Sequence, residues 1–220
     1  MSWEQLAPVL LQGLWETLFM TVPSTIIAYL IGMPLGIMLV VTAGDGIRPM
    51  PRFSAVLGVA INFLRSIPFI ILLAMLFPVT RAVMGRAIGT QAIIFPLTIS
   101  AFPYVARMVE NALNEVDHGV IEAAQSMGST DWQIIHKVLL PEAFPSLLSG
   151  AAICMVTILG YTAMASTAGG GGLGALAITK GLNMRNFTLM YSASLILVAL
   201  VQIMTYLGNR VSRNSDHRKK

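Results

Sequence analysis

The stretch that decides the fold runs from Gly119 to Pro141 and reads GVIEAAQSMGSTDWQIIHKVLLP. It is a mostly polar island between long apolar segments, and its pattern predicts two short helices. The first is expected to end at Gly128, because a helix C-cap with positive φ favours glycine. Thr130 stands three residues before Gln133, which is the spacing of a capping box that begins the second helix. Pro141 is expected to end that second helix.

The first of these helices carries an apolar face. The residues at the i, i+3, i+4 and i+7 positions are Val120, Ala123, Ala124 and Met127. Side chains at this spacing share one side of a helix, and Glu122 falls outside it. A short helix with one apolar face, held between membrane spans, is typical of a docking element. A surface loop that merely joins two spans is the alternative interpretation of this face alone.

Three further elements favour docking: Glu-Ala-Ala at 122–124, glycine at 128 and Leu-Pro at 140–141. Their spacing resembles the EAA loop of the membrane subunits of bacterial ABC importers, whose first short helix is the coupling helix that sits in a cleft of the ATPase subunit. The resemblance implies that the segment from Val120 to Met127 docks on such an ATPase. It also implies that Glu122 makes a polar contact, that Ala123 and Ala124 allow close approach, and that Gly128 holds the turn.

The composition of the whole chain indicates a membrane protein. Hydrophobic residues make up 55% of the 220 residues and charged residues 11%, whereas a soluble domain carries about twice that charged fraction. Five apolar runs approach the ~20 residues that a helix needs to cross a bilayer. They lie at about 14–41, 55–77, 91–108, 147–164 and 187–207, with a coupling loop at about 109–146. We therefore predict an all-α integral membrane protein with one transmembrane domain over 1–220.

The first run lacks a preceding basic region and a cleavage pattern, so we expect it to be a permanent span.

Lysine and arginine in the loops predict the orientation. Nine lie on the side of the coupling loop: Arg48, Arg52, Arg107, Lys137, Arg210, Arg213, Arg218, Lys219 and Lys220. Four lie on the other side: Arg81, Arg86, Lys180 and Arg185. The coupling loop and the C-terminus are therefore expected in the cytoplasm, and five spans place the N-terminus outside. The basic C-terminal tail is better suited to anionic lipid headgroups than to nucleic acid.

Charged residues within the spans need a separate interpretation. Arg65 lies in the second span, and an intramembrane cation is by default a functional candidate. It is close enough to the cytoplasmic end to reach the interface or to cap carbonyls freed by Pro68, so we assign both residues a structural role. Glu16 lies near the outer end of the first span, where we expect it to be solvated.

The fourth span is the candidate for the translocation pathway. It holds the densest run of small and polar groups, and Tyr161 and Met164 are the candidate pathway or gate residues. Helix packing through small residues explains part of the pattern, including Gly160. The glycine-rich stretch at 168–174 that follows has no preceding strand, so it predicts a flexible outer loop or a re-entrant turn and no nucleotide site.

The sequence contains no catalytic or metal-binding pattern. G-x-S-x-G and H-E-x-x-H are absent, and Cys154 is the only cysteine, which excludes a cysteine-based metal cluster. No acidic residue lies in the middle of a span, which argues against an ion-coupled carrier. We expect no cofactor, no metal and no enzyme activity in this chain.

A longer resemblance covers nearly the full length and is closest to the permease subunit of methionine importers. The segments that carry it are FLRSIPFIILL (63–73), PYVARMVENAL (103–113), VIEAAQSMGST (120–130), KVLLPEAFPSLL (137–148) and LGYTAMA (159–165). The resemblance implies the type I ABC importer fold in the bacterial inner membrane. It also implies a homodimer, two cytoplasmic ATPase subunits that bind ATP and Mg, and a periplasmic or lipid-anchored methionine-binding protein. A permease for another amino acid is the alternative within this class, and an ATP-independent channel or scaffold is the alternative outside it.

Overall fold

The computed structural model describes residues 3–215, and every regular element in this range is helical. The α-helices are α1 (Trp3–Val41), α2 (Pro51–Arg65), α3 (Phe69–Met75), α4 (Phe77–Met84), α5 (Thr90–Asn114), α6 (His118–Ser126), α7 (Asp131–Ile134), α8 (Leu140–Ala165), α9 (Gly172–Ala175) and α10 (Phe187–Ser215). Two π-helical turns, Ile135–Leu139 and Leu176–Leu182, and one 3₁₀ turn, Ser166–Ala168, complete the set. The tail residues Arg218, Lys219 and Lys220, which the charge argument uses, lie outside the described residues.

Four helical segments of the described chain are long and apolar enough to cross a membrane. They are Leu6–Val41, Thr90–Asn114, Asp131–Ala168 and Phe187–Asn214, with 36, 25, 38 and 28 residues. A fifth candidate consists of two parts, because Pro51–Arg65 and Phe69–Met84 are bent by 99° at the break between them. The second predicted span therefore contains a sharp break that its apolar composition did not indicate.

Pro68 lies at this break. It has no N–H to donate and disfavours a helical conformation in the residue before it. The chain turns there with φ −56° and ψ 136° at Pro68, and α3 starts immediately afterwards. The Ser66 N–H donates to the carbonyls of Asn62 and Phe63 at 3.0 and 3.1 Å, so Ser66 caps α2. Arg65 is exposed and does not supply this cap; its expected reach to the interface stays a prediction.

Residue contacts divide the chain into two compact units, which we describe separately. Unit 1 takes the described residues of Met1–Ala28, Ile67–Ala101 and Cys154–Tyr206. Its apolar core joins the start of α1 to α9, the second π-helical turn and α10. The buried members are Leu6, Leu10, Leu173, Leu176, Ala177, Leu189 and Ala193.

Glu16 of α1 is half-buried in unit 1 and is not solvated as expected. Its carboxylate accepts a hydrogen bond from the Gly172 N–H at 2.7 Å. The neighbouring Thr17 hydroxyl accepts one from the Leu173 N–H at 2.9 Å. The glycine-rich stretch is therefore held by side chains of α1 and is more ordered than a flexible loop.

Unit 2 takes the described residues of Tyr29–Ser66, Phe102–Ile153 and Leu207–Lys220. Within it, α1 approaches α5 closely at two glycines. A Cβ on Gly32 would lie 2.7 Å from the Phe102 carbonyl oxygen, and one on Gly36 would lie 2.5 Å from the Ala106 carbonyl oxygen. Small residues four apart allow such backbone contact between membrane helices. Glycine at these two positions therefore allows the close packing of α1 on α5.

Arg107 of α5 ties α5 to α2 in unit 2. Its guanidinium donates to the Gly58 carbonyl at 2.8 Å and to Asn62 Oδ1 at 3.1 Å. It also donates to the Glu110 carboxylate at 2.6 Å, and these two residues form an i, i+3 ion pair on α5. One planar cation thus serves acceptors on two helices, and its fixed geometry restrains their separation.

We predict that Gly36→Ala destabilises the chain, because the added methyl would overlap the α5 backbone. Overpacking of this kind costs about 1–3 kcal/mol, which lowers the thermal midpoint by roughly 2–4 °C per kcal/mol at this chain length. The matched control is Gly160→Ala, since a Cβ there would meet nothing within 4 Å. Thermal unfolding of the two variants in detergent measures the difference, and equal midpoints would contradict the prediction.

Candidate functional site

The coupling loop begins with a well-capped helix. α5 ends at Asn114, and Asp117 is the N-cap of α6. The Asp117 carboxylate accepts a hydrogen bond from the Gly119 N–H at 2.7 Å. An acceptor at this position satisfies a backbone donor that the helix leaves free, and its negative charge suits the positive end of the helix dipole.

α6 ends in a Schellman motif at Gly128. The Gly128 N–H donates to the Gln125 carbonyl at 2.9 Å, and the Ser129 N–H donates to the Ala124 carbonyl at 3.1 Å. Gly128 has φ +78°, as predicted, and a Cβ there would meet nothing within 4 Å. Glycine is therefore required at this position for its conformation and not for lack of space.

The second short helix begins as the spacing predicts but does not end as predicted. Thr130 and Gln133 form a capping box, with hydrogen bonds of 2.9 and 3.4 Å. Pro141 does not end the helix, because a π-helical turn at Ile135–Leu139 carries the chain directly into α8. The Leu140 N–H donates to the carbonyl five residues back, at Ile135. This wider turn makes room for the proline ring, which would crowd a carbonyl in a regular α-helix.

The predicted apolar face of α6 is divided between protein and solvent. Val120 is 45% exposed, Met127 is 79% exposed, and Ala123 is also exposed. Ala124, in contrast, is only 3% exposed, so it packs within its own chain and is not available to a partner. Glu122 is exposed. The face open to a partner therefore consists of Val120, Ala123 and Met127, with Glu122 beside it.

A cleft of about 150 Å³ with both polar and apolar side chains in its walls adjoins α6 in unit 2. One wall is the turn between α1 and α2, which includes Asp45 and Ile47, and the other includes His118, Glu122 and Gln125 of α6. The predictions from the sequence do not include this turn. The signal that could have identified it is its A-G-D-G composition, which predicts a compact turn with an acidic side chain at its tip.

The candidate pathway residues lie in unit 1. The Tyr161 ring stacks on Phe69, with ring centroids 4.7 Å apart and planes 7° from parallel. Phe69 is the first residue after the break at Pro68 and is buried. Met164, one turn further along α8, is 50% exposed. The structure thus gives Tyr161 a stacking partner, Phe69, which the sequence did not indicate. The Met164 side chain remains half exposed.

Within residues 3–215, no group of three or more His, Cys, Asp or Glu side chains could hold a metal ion.

A family model described as "Binding-protein-dependent transport system inner membrane component" matches residues 28–220, including the whole coupling loop. The chain belongs to this family. It is accordingly a multi-pass protein of the bacterial inner membrane, and its role is that of a transporter permease. The resemblance of the EAA loop to that of importer membrane subunits is confirmed by this match.

Relatives within this family cover most of the chain. A Vibrio cholerae protein named as a probable D-methionine transport system permease protein, MetI, is 45% identical over 210 residues, which is 96% of this chain and 93% of the relative. An Escherichia coli K12 protein named D-methionine transport system permease protein MetI is 48% identical over 156 residues, covering 71% and 72% of the two chains.

Solved structures confirm the type I ABC importer fold. An inward-facing conformation of the MetNI methionine ABC transporter matches with a TM-score of 0.96 and 43% identity, covering 99% of this chain and 100% of that one. A crystal structure of an amino acid ABC transporter with histidines matches with a TM-score of 0.78 at 23% identity, which shows a shared fold alone.

We predict that Gly128→Leu loosens the C-terminal end of α6 and lowers transport while the chain still inserts into the membrane. A left-handed conformation costs a non-glycine residue about 1–2 kcal/mol. Gly128→Asn is the matched control, because asparagine tolerates this conformation better. Amide hydrogen exchange over residues 118–130 should be faster in the leucine variant than in the asparagine variant. Wild-type transport in Gly128→Leu would refute the role of the turn.

Proposed function

We propose that the chain is the membrane-spanning permease subunit of an ATP-driven methionine importer. The observation that carries the proposal is the exposed apolar face of α6, presented on a helix whose two ends are both capped. Val120 and Met127 are 45% and 79% exposed. Covering a side chain of this kind contributes about 1.5–3 kcal/mol, so the face favours a protein partner. The EAA spacing supports a cytoplasmic ATPase as that partner.

The ATPase would supply the energy. Within residues 3–215, the chain offers no candidate metal group, and its glycine-rich stretch lacks the Lys-Ser/Thr of a phosphate loop. ATP and Mg would therefore be bound by the ATPase, and the permease itself would be neither an enzyme nor a cofactor-binding subunit. A second copy of this chain and two ATPase copies would give each coupling helix its own ATPase. The similar MetNI structure, which is that of a methionine ABC transporter, supports an ATPase partner.

The coupling helix is built to move together with the helices that flank it. Only three residues separate α5 from α6, and α6 leads through the Schellman motif and the capping box into α7. Closure of the ATPase pair would shift α6 as a rigid body and would move α5 and α8 with it. Glu122 would make the polar contact with the ATPase beside the apolar face. Ala124 would help indirectly, by packing α6 on its own chain.

Methionine is the substrate that the relatives support. Two of them are named as D-methionine permeases, at 45% and 48% identity. Tyr161 and Met164 of α8 are the proposed pathway contacts. An aromatic ring and a flexible thioether suit an apolar, thioether-bearing substrate. The proposed orientation keeps the coupling loop and C-terminus in the cytoplasm and the N-terminus outside.

An extracytoplasmic binding protein would deliver methionine to the outer segments. These segments, at 78–90 and 166–186, carry Arg81, Arg86, Lys180 and Arg185 and no acidic residue. All four cations are exposed. A surface with this charge attracts a partner with an acidic docking face, most strongly at low salt.

The charge-reversed double variant Arg81→Glu/Lys180→Glu should weaken docking of the binding protein about tenfold at low ionic strength. An exposed ion pair contributes up to ~1 kcal/mol, and the double variant removes two. Arg213→Glu, on the opposite side of the membrane, is the control. Titration of the binding protein onto nanodisc-embedded transporter measures the effect at low and high salt. A loss that does not shrink at high salt, or no loss at all, would contradict an electrostatic docking face.

Uptake of labelled methionine into vesicles tests the whole proposal. The vesicles carry this chain with its co-purifying partners, with and without internal ATP, and unlabelled L-methionine, D-methionine and other amino acids compete. ATP-dependent uptake competed only by methionine and close analogues is the expected result. Competition by a different amino acid would leave the coupling intact and change the substrate. ATP-independent uptake would leave only the channel interpretation.

A matched pair of variants tests the coupling face in the same vesicles. Met127→Glu should lower retention of the ATPase and ATP-driven uptake at least tenfold, because it replaces a docking side chain by a charge. Ser126→Glu places the same charge on an exposed neighbour outside the apolar face and should change both by less than twofold. Equal losses in the two variants would show that charge, and not the apolar face, governs coupling.

A further inference from the structure

Glu16 and Thr17 hold the glycine-rich segment by its backbone. Glu16 Oε2 accepts the Gly172 N–H at 2.7 Å, and Thr17 Oγ1 accepts the Leu173 N–H at 2.9 Å. Both acceptors are themselves fixed. Gln12 Nε2 donates to Glu16 Oε1 at 3.0 Å, and the Thr17 hydroxyl donates to the Gly13 carbonyl at 2.8 Å. We call this set of hydrogen bonds the α1 clasp.

The clasp explains why the segment is rich in glycine. Gly172 has φ +88°, and a Cβ on it would lie 2.6 Å from Thr17 Oγ1. A Cβ on Gly171 would collide with Glu16 Oε2 and lie 2.8 Å from Thr90 Oγ1. The side chains of α1 thus occupy the space that side chains at these two positions would need.

The clasp also caps a helix from outside. Residues 172–182 are continuously helical through α9 and the second π-helical turn. The first backbone N–H groups of a helix have no partner within it. Two of them are satisfied here by side chains that precede them by 156 residues. The carboxylate of Glu16 carries the charge that the N-terminal end of a helix favours.

The clasped segment packs on α8 at the candidate pathway. A Cβ on Gly174 would meet the backbone of Ala163, so α9 and α8 are in close contact there. Ala163 lies between Tyr161, which stacks on Phe69, and Met164. The segment 171–174, which the side chains of α1 hold, therefore packs against the turn of α8 that carries both candidate pathway side chains.

We propose that Glu16 is a positioning residue for substrate passage: through the α1 clasp it holds residues 171–174 against α8 and so sets the placement of Tyr161 and Met164. This inference rests on the proposed function. Because the clasp orders a surface that meets substrate, its loss raises the KM of methionine uptake more than it lowers the maximal rate.

Three variants at two positions test the clasp. Glu16→Ala removes the acceptor and should raise the KM for methionine uptake about tenfold, as loss of a charge-assisted hydrogen bond predicts, with the maximal rate changed less than twofold. Glu16→Gln keeps an acceptor oxygen and should recover the KM to within about threefold, because a neutral hydrogen bond is weaker than a charge-assisted one. Gly171→Ala should resemble Glu16→Ala, since its methyl displaces the carboxylate. The exposed acidic residue Glu4 of the same helix supplies the control, Glu4→Ala.

The double variant gives the sharpest result. Glu16→Ala removes the carboxylate that a methyl on Gly171 would displace. Adding Gly171→Ala to Glu16→Ala should therefore raise the KM less than Gly171→Ala does alone, and the free energies calculated from the two KM changes should combine to less than their sum. If the effects of the two substitutions on the KM are fully additive in free energy, the clasp does not exist. Equal loss of maximal rate in Glu16→Ala and Glu16→Gln, with the KM unchanged, would overturn the positioning role.

Amide hydrogen exchange separates this inference from the proposed function. Exchange over residues 170–176 should be faster in Glu16→Ala than in Glu16→Gln and wild type, whatever the substrate is. Unchanged exchange would overturn the clasp itself. If wild-type vesicles take up no methionine, the proposed function fails and the positioning role for methionine fails with it, whereas the exchange result still decides whether the clasp exists.

Discussion

Backbone hydrogen bonding at helix ends is the constraint on which this structure depends. Inside a bilayer, a backbone group that finds no partner within the protein costs several kcal/mol, and at an exposed helix end a missing cap still costs about 0.5–2 kcal/mol. The sequence Gly128–Thr130 meets this constraint for two helices within three residues, since the Schellman motif closes α6 and the capping box opens α7. The turn is rigid because its polar groups are paired, and α6 can therefore present its apolar face at a fixed angle.

The same constraint shows which parts of the fold could be predicted from the sequence. Gly128, Thr130 and Gln133 act through local geometry, and local geometry can be derived from residue type and spacing. The Arg107–Glu110 pair follows from local spacing as well, because its members lie three residues apart on one helix. Long apolar runs also predicted an all-helical membrane fold, because few other structures satisfy a backbone in lipid.

The predictions that failed depend on contacts between distant segments. A proline in the sequence shows that one backbone donor is missing, but it does not show how the neighbouring residues adjust. Pro68 lies at a bend of 99°, whereas Pro141 lies inside a continuous helix that a π-helical turn widens just before it. Ala124 shares a helical face with Val120 and Met127, and only the tertiary structure shows that it points into its own chain. Glu16 was expected to be solvated because its donor at Gly172 lies 156 residues away and cannot be recognised from the residues around it.

The π-helical turn at Ile135–Leu139 determines how the helix that leads into α8 responds to a change in chain length. Each residue of an α-helix turns the chain by about 100°, and this turn holds one residue more than a regular helical turn would. Removing one residue from this turn would leave a regular helical turn and would keep the direction in which the side chains after it point. Removing one residue from the regular part of α8 would instead rotate the side chains beyond the deletion by about 100°. The π-helical turn is thus a position where the number of residues can change without turning the helix that follows.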